Sequence, residues 1–425
     1  MNSVALRDLV LVIIGDELLE GRRIDRHASF LTRTLGEWGL VCQRVVIIRD
    51  QHDVIVETVQ RSMEEAELVI VTGGLGPTVD DITREAVAEA TGISLAQSDD
   101  ALAEIEARFR AMGRSMSPNN YRQAMAPTAG GYFSNPNGTA PGLYYQHDQG
   151  VVIALPGPPR ELEPMIDDQV VPFLRKHYAL GGERCTAVLS FACVGESTVD
   201  YTIHEMLGTV EDLKVSMLAR PGVVNVTLAL EGDEETMRPR LDQYVSRIQE
   251  KLGDYSFGGT DLTLEEAVGR LLVEQGQTVA VAESCTGGLL GASLTEAAGA
   301  SAYFRGGVIA YDNTVKINAL GVDAQDLEQA GAVSQAAASQ MAQGVCRTLH
   351  SDWGISITGV AGPGGGTDEK PVGTVWIAVA QNDKAVYPFT MKFAGNRSMI
   401  RQRSCIYGLD QLRRLLQGIE PHESR

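Results

Sequence analysis

The chain has 425 residues, 44% of them hydrophobic, which exceeds one typical domain and is ample for two or three packed cores. Its 55 acidic against 36 basic side chains give a formal net charge of −19, which opposes a phosphate backbone at long range and argues against a nucleic-acid partner. The six cysteines, at positions 42, 185, 193, 285, 346 and 405, lack CxxC spacing and read neither as a zinc site nor as a disulfide frame. A reducing cytoplasm fits that usage, and with no signal-peptide pattern and no apolar run of about 18 residues, neither export nor a membrane span is expected.

Through about residue 170, strand-like and helix-like segments alternate. Apolar runs at 9–14, 45–48, 68–71 and 151–155 are separated by amphipathic stretches at 26–38 and 81–90, a rhythm that predicts parallel strands with crossover helices. Two of these strands run into glycine-containing turns, Gly15-Asp16-Glu17 and Thr72-Gly73-Gly74-Leu75-Gly76-Pro77. Ligands bind beyond the carboxyl ends of strands in open α/β sheets, so both turns are candidates to line one cleft. Gly73, Gly74 and Gly76 allow backbone to approach a ligand closely, while Asp80, Asp81 and Thr83 offer oxygens to a divalent cation bridged to phosphate. The same letters also suit a tight turn with Asp81 or Thr83 capping the next helix, and the Gly-Lys-Ser/Thr ending of a Walker A loop is missing.

From about residue 185 to 253, segments 187–194 and 223–230 alternate like strands, and 197–207 and 235–252 read as helices. Residues 255–261, YSFGGTD, read as a linker, and Thr263-Leu264-Glu265-Glu266 as a capping box that opens a third domain. There a strand at 278–282 breaks at Glu283-Ser284-Cys285-Thr286 into Gly287-Gly288 before a helical stretch. Strands at 307–311, 355–358, 374–380 and 386–393, with helices at 335–350 and 397–416, predict a second α/β layer domain.

A hydroxyl between a strand end and a helix N-terminus sits where free N–H groups and the helix dipole hold an anion, the setting a serine nucleophile needs. Ser, Thr and Gly at a helix start are also ordinary caps, and the neighbouring Cys285 is a second candidate nucleophile. None of the histidines at positions 27, 52, 147, 177, 204, 350 and 422 lies in a motif near this turn, which argues against a Ser-His-Asp triad. Tyr311 and Lys316 flank a strand end and the following helical turn, with Asn313 between them. A lysine whose pKa burial has lowered can take the serine proton and a tyrosine can relay it; a solvated Lys316 and an edge-packing Tyr311 fit the same letters. The N–H groups of Thr286 and Gly287 are expected oxyanion donors, with Glu283 and Gly288 beside them. The loop at 358–366, through Thr358, Gly359, Gly362 and Gly364, would wrap a ribose or phosphate. Arg397 and Arg401, one helical turn apart, would pair with a phosphate or form a solvated face.

GDELLEG at 15–21, VTGGLGPTVDDITREA at 71–86, RQAMAPTAGGYFSNPNGTAPG at 122–142 and LPGPPRELEPM at 155–165 resemble, in that order, the molybdopterin-binding-like domain of the CinA family. CVGES at 193–197 and ARPGVVNVTL at 219–228 resemble its KH-like connector. AESCTGG, FRGGVIAYDNTVK at 304–316, GAVSQ at 331–335, ITGVAGPGGGTDEKPVGTVWIAVA at 357–380 and GNRSMIRQR at 395–403 resemble its C-terminal domain. The resemblance implies an α/β protein: a three-layer α/β/α domain over 1–175, a small α+β KH-like connector over 176–257, and an α/β C-terminal domain over 258–425.

For the first domain the resemblance implies hydrolysis of ADP-ribose to AMP and ribose 5-phosphate, dependent on a divalent metal (cobalt, magnesium or manganese) and potassium. Asp16, Glu17, Asp25 and Asp81 become metal candidates, and Gly73, Gly74, Gly76 and Thr83 phosphate candidates. Pro127, Asn137, Gly138, Thr139, Ala140 and Pro141 would wall the pocket. Arg26-His27 stands where the family usually has a small hydroxyl residue and then asparagine. For the last domain it implies an amidohydrolase that converts nicotinamide mononucleotide to nicotinate mononucleotide and ammonia without metal, in pyridine nucleotide salvage. Ser284 is then the nucleophile in preference to Cys285, served by Lys316 and Tyr311. The connector offers no GXXG loop with basic neighbours, so it reads as a spacer or dimerisation element in a homodimer. A non-enzymatic partner in competence or DNA-damage responses, with a vestigial nucleotide-binding first domain, is the alternative class.

Overall fold

The computed structural model describes residues 4–180, 184–208, 210–259 and 262–422. The chain folds as two compact units, Met1–Arg184 with Glu231–Glu234, and Cys185–Leu230 with Glu235–Arg425.

The first unit is built on β1 (Asp8–Ile14), α1 (His27–Gly36), β2 (Val41–Ile48), α2 (His52–Glu65), β3 (Leu68–Thr72), α3 (Thr83–Thr91), α4 (Asp99–Ala111), β4 (Gly130–Phe133), β5 (Gly142–His147), β6 (Gly150–Leu155) and α5 (Pro159–Met165). Its six-stranded sheet runs β2-β1-β3-β6-β5-β4. The first four strands are parallel, as the alternating pattern predicts, and β5 and β4 add antiparallel at the far edge. Helices cover both faces: Leu31 and Leu35 of α1 with Leu162 and Met165 of α5 on one, Ile55 and Val59 of α2 with Ala86 and Val87 of α3 on the other. Central strands buried on both faces read as unbroken apolar runs, which is why β1, β3 and β6 are legible in the sequence. Neither candidate caps α3 with its side chain: Thr83 is its first residue after Ile82, and Asp81 instead accepts from the N–H and hydroxyl of Thr78.

The second unit continues with β7 (Arg184–Ala192), α6 (Glu196–Leu207), β8 (Leu213–Arg220), β9 (Val223–Glu231), α7 (Glu234–Leu252), β10 (Ser256–Gly258), α8 (Leu264–Glu274), β11 (Val279–Glu283), α9 (Leu289–Glu296), β12 (Phe304–Ile309), α10 (Asn313–Leu320), α11 (Ala324–Ala330), α12 (Gln335–Leu349), β13 (Trp353–Gly359), β14 (Thr374–Gln381), β15 (Val386–Lys392) and α13 (Arg397–Gln417). One sheet runs β8-β9-β7-β10, the other β12-β11-β13-β14-β15, with β11 parallel to both neighbours. The Thr263 capping box at α8 is present, its hydroxyl accepting from Glu266 N–H and the Glu266 carboxylate from Thr263 N–H.

One expectation is corrected by the structure. Of the stretch read as a linker, residues 256–258 form β10, paired antiparallel with β7; Thr260 and Asp261 lie outside the described residues. The middle and C-terminal segments pack together within the second unit. Ala192, Val223 and Phe257 share a core with Leu264, Val281 and Leu409, and Arg413 donates to the carbonyls of Ser256 and Asp254 at 3.0 and 2.7 Å. Glycines and polar residues at 255–261 suit a loop, but one buried aromatic residue anchors the strand. Phe257→Ala is expected to lower the unfolding free energy of the second unit by about 3 kcal/mol, read by urea denaturation followed through Trp353 fluorescence.

Candidate functional sites

In the first unit, the turns after β1, β2, β3 and β6 open on one cleft of about 1860 Å³ at the carboxyl ends of the parallel strands. Asp16, Glu17, Asp25, Asp81, Gly73, Gly74 and Gly76 all line it, with Asn137, Gly138, Thr139 and Ala140 on its wall; Pro127, Pro141 and Thr83 are not among its lining residues. Gly74 has φ +66° and a Cβ there would overlap the Thr83 hydroxyl, so glycine is required on two counts. That hydroxyl is buried behind the turn with no hydrogen-bond partner. The Gly73 N–H is used by Leu155 O at 3.0 Å, which removes it from the expected phosphate donors.

Sequence reasoning missed Asp50, which joins Asp16, Glu17, Asp80 and Asp81 in the cleft. Burial, reinforced by those four carboxylates, pushes its pKa up to about 6. Its position just after β2, at a strand's carboxyl end, is the signal that could have found it. Oδ1 of Asp50 and Oδ1 of Asp16 are buried without hydrogen bonds, although Arg49 approaches Asp16 at 3.6 Å. Crowded carboxylates with unpartnered oxygens are the donor set of a hard divalent cation. Asp25 departs from expectation: its two oxygens accept from the N–H groups of His27 and Ala28 at 2.9 and 3.1 Å, so it caps α1 rather than facing a metal. His27 contacts the Thr72 hydroxyl through Nδ1 at 3.3 Å, and burial lowers its pKa.

In the second unit, β11 delivers Glu283 to the head of the serine turn. Glu283 is buried and its carboxylate accepts from the N–H groups of Gly288, Leu290 and Gly291 at 3.0, 3.1 and 2.8 Å, closing the first turn of α9. Ser284 follows, half-buried, its N–H bonded to Ile357 O at 2.9 Å. Glu283 and Gly288 are thus tied to each other within the turn. Of the two N–H groups expected to hold the oxyanion, that of Gly287 goes to Ser284 O at 3.1 Å. The Cys285 thiol is buried, and that burial pushes its pKa up to about 11, against its use as a nucleophile.

Lys316 is fully buried, against its alternative as a solvated residue, and Nζ donates to Ala310 O at 2.8 Å and Tyr311 O at 3.2 Å. Ala310 N–H in turn bonds Glu283 O at 2.7 Å, which seats the ammonium beside the serine turn, where the Cys285 thiol acts on it electrostatically. Burial lowers the lysine pKa, partly opposed by Asp312 and Cys285. Tyr311 is corrected: it is 63% exposed and reaches Lys316 through its carbonyl, not its phenol. Asn313 is exposed at the start of α10.

The two arginines at the start of α13 reach two different turns. Arg397 donates to Gly362 O at 2.8 Å and Arg401 to Thr286 O, so α13 ties the glycine-rich loop to the serine turn. Within that loop the Thr358 hydroxyl donates to Ala332 O at 2.8 Å and a Cβ at Gly359 would crowd Thr374 O, whereas a Cβ at Gly364 would meet nothing.

The chain is thus an α/β protein whose two units each carry a glycine-rich turn at the carboxyl edge of parallel strands, one ringed by carboxylates, the other by a lysine and two arginines. Family models match throughout: Probable molybdopterin binding domain over residues 10–176, Damage-inducible protein CinA KH domain over 186–258, and CinA C-terminal domain over 261–416. A competence-damage inducible protein of Halothermothrix orenii is 38% identical over 392 residues, 92% of this chain and 94% of the relative. A CinA-like protein of Rippkaea orientalis is 38% identical over 411 residues, 96% and 98% of the two chains. The crystal structure of a competence-damaged protein (CinA) superfamily protein from Klebsiella pneumoniae is 34% identical, covering 36% of this chain and 96% of that one, with a TM-score of 0.36. The chain belongs to the CinA family. Among the described residues no helix is long and apolar enough to cross a membrane.

Two outcomes follow from the electrostatics. Glu283→Ala, which strands three helix-start N–H groups, is expected to cost on the order of 3 kcal/mol in chemical denaturation. Because the folded pKa of Asp50 lies above its unfolded value, its charge destabilises the fold at high pH, an effect that grows from about pH 4 to 6 and is absent below. Asp50→Asn should raise the thermal midpoint at pH 8 without divalent cations and leave it unchanged at pH 3.5.

Proposed function

We propose that the second unit hydrolyses the carboxamide of nicotinamide mononucleotide through a Ser284 acyl-enzyme. The observation that carries this reading is the buried Lys316 beside the serine turn, with two of its three donors fixed on backbone carbonyls. In its neutral form Lys316 takes the Ser284 proton as Oγ attacks the amide carbon, and Thr286 N–H stabilises the oxyanion. The carbon–nitrogen bond breaks, the proton leaves with ammonia, and water cleaves the ester to give nicotinate mononucleotide. Arg397 and Arg401 lie where a 5′-phosphate would complete their hydrogen bonding.

The first unit is proposed to hydrolyse the pyrophosphate of ADP-ribose. Asp16, Glu17, Asp50 and Asp81 would hold the divalent cation, which supplies charge neutralisation and an activated water. Gly74 and Gly76 let the phosphates approach the backbone, and His27 fills the wall where the family carries asparagine.

Ser284→Ala is expected to reduce ammonia release from nicotinamide mononucleotide by about a thousandfold or more, whereas Cys285→Ala retains it. Lys316→Met should be as inactive as Ser284→Ala, and the wild-type rate should rise with pH as the lysine loses its proton. Ammonia release that persists in Ser284→Ala overturns the amidase reading. ADP-ribose left intact by the pure protein with cobalt, magnesium or manganese plus potassium overturns the pyrophosphatase reading.

A further inference from the structure

Away from both clefts, three potential ligand residues from distant parts of the chain meet inside the second unit: Cys193 in the turn between β7 and α6, Asp410 on α13, and His422 in the tail beyond it. Their ligand atoms all lie within 4.8 Å of one another. Asp410 is the hub. Fully buried, it accepts from Arg413 Nε on Oδ1 at 2.7 Å, and His422 Nε2 meets its Oδ2 at 2.7 Å. The Cys193 thiol lies beside this carboxylate, and burial, reinforced by Asp410, pushes its pKa well above the usual thiol value. A thiol–imidazole–carboxylate relay needs the imidazole in the middle, so a nucleophilic cysteine is not what this arrangement makes.

The surroundings hold the three groups in place. Cys193 has φ +59°, a backbone conformation glycine adopts more readily, and its N–H is fixed on Gly222 O at 2.9 Å. The tail is pinned by two bonds to one side chain, His422 N–H to Gln411 Oε1 at 3.0 Å and Gln411 Nε2 to His422 O at 3.2 Å, and the imidazole stacks on Tyr255 at 5.4 Å. Cys193 and His422 line a cavity of about 370 Å³ with Met391, Phe393, Arg403 and Tyr407. The matched C-terminal domain ends at residue 416, so His422 lies outside it.

We propose that Cys193, Asp410 and His422 form a mononuclear Zn²⁺ site, with its fourth position open to this cavity. Sulfur, imidazole nitrogen and carboxylate oxygen together suit zinc and not magnesium or calcium. Tetrahedral bonds of about 2.0 to 2.3 Å place neighbouring ligand atoms roughly 3.3 to 3.6 Å apart, so the cluster reaches coordination distances by shifts of about an ångström. Arg413 on Oδ1 orients the carboxylate, as outer partners of metal ligands do, and the ion would replace the direct contact between His422 Nε2 and Oδ2 by binding both atoms. The ion would clasp the connector and the C-terminal tail onto α13.

Cobalt(II) titration of the full chain, purified with chelator and reductant, tests this. A thiolate-to-cobalt charge-transfer band should reach one equivalent per chain and be displaced by zinc; the oxygen-lined cleft of the first unit cannot produce it. Cys193→Gly, which suits the positive φ and should fold, is expected to lose the band, and His422→Gln to weaken binding at least about 100-fold. Gln411→Ala, which frees the tail, should weaken it about 10-fold. Wild type without a thiolate band, or the same band in Cys193→Gly, overturns the proposal.

Discussion

The buried carboxylate of Glu283 governs the second unit's functional edge. A carboxylate removed from water is costly unless its oxygens are saturated, and here the three N–H groups of a helix start saturate them and add the positive end of the helix dipole. That constraint fixes residues 284–288 as a tight turn and presents Thr286 O to Arg401. The backbone of the same residue, through Ala310, positions the carbonyl that seats Lys316. One residue thus ties together the Ser284 turn, the carbonyl that holds Lys316 and the carbonyl that Arg401 donates to.

The first unit uses the same edge of an α/β sheet with opposite electrostatics. Carboxylates gathered after three strands repel one another, which the raised pKa of Asp50 records, and the glycine turn leaves the backbone close at hand. An arrangement that costs free energy when empty gains it when a cation enters, so this geometry favours binding over stability. Asp25 lines the cleft while both its oxygens accept from the first N–H groups of α1.

Legibility followed burial. Strands buried on both faces, the amphipathic helices and the Thr263 capping box were readable because their periodicity or hydrogen-bonding chemistry is local. Two edge strands were not: β8 is largely exposed and β10 is three residues held by Phe257. At the sites, residue type identified Ser284, Lys316 and the arginines, but not the use of each polar atom. Gly287 N–H, the Thr358 hydroxyl and both Asp25 oxygens are taken by neighbours that only the folded backbone supplies.

By itself the sequence determined two α/β layer units, their strand-end turns, and the residue types available at each, because hydrophobic period and turn chemistry act over a few residues. Whether a lysine is solvated or buried, whether a tyrosine offers its phenol or its carbonyl, and whether an aspartate faces a cleft or caps a helix were decided only by tertiary structure. So was the meeting of Cys193, Asp410 and His422, which no spacing rule could announce. Those outcomes depend on desolvation and on competition for hydrogen bonds between segments far apart in the chain, which local pattern does not encode.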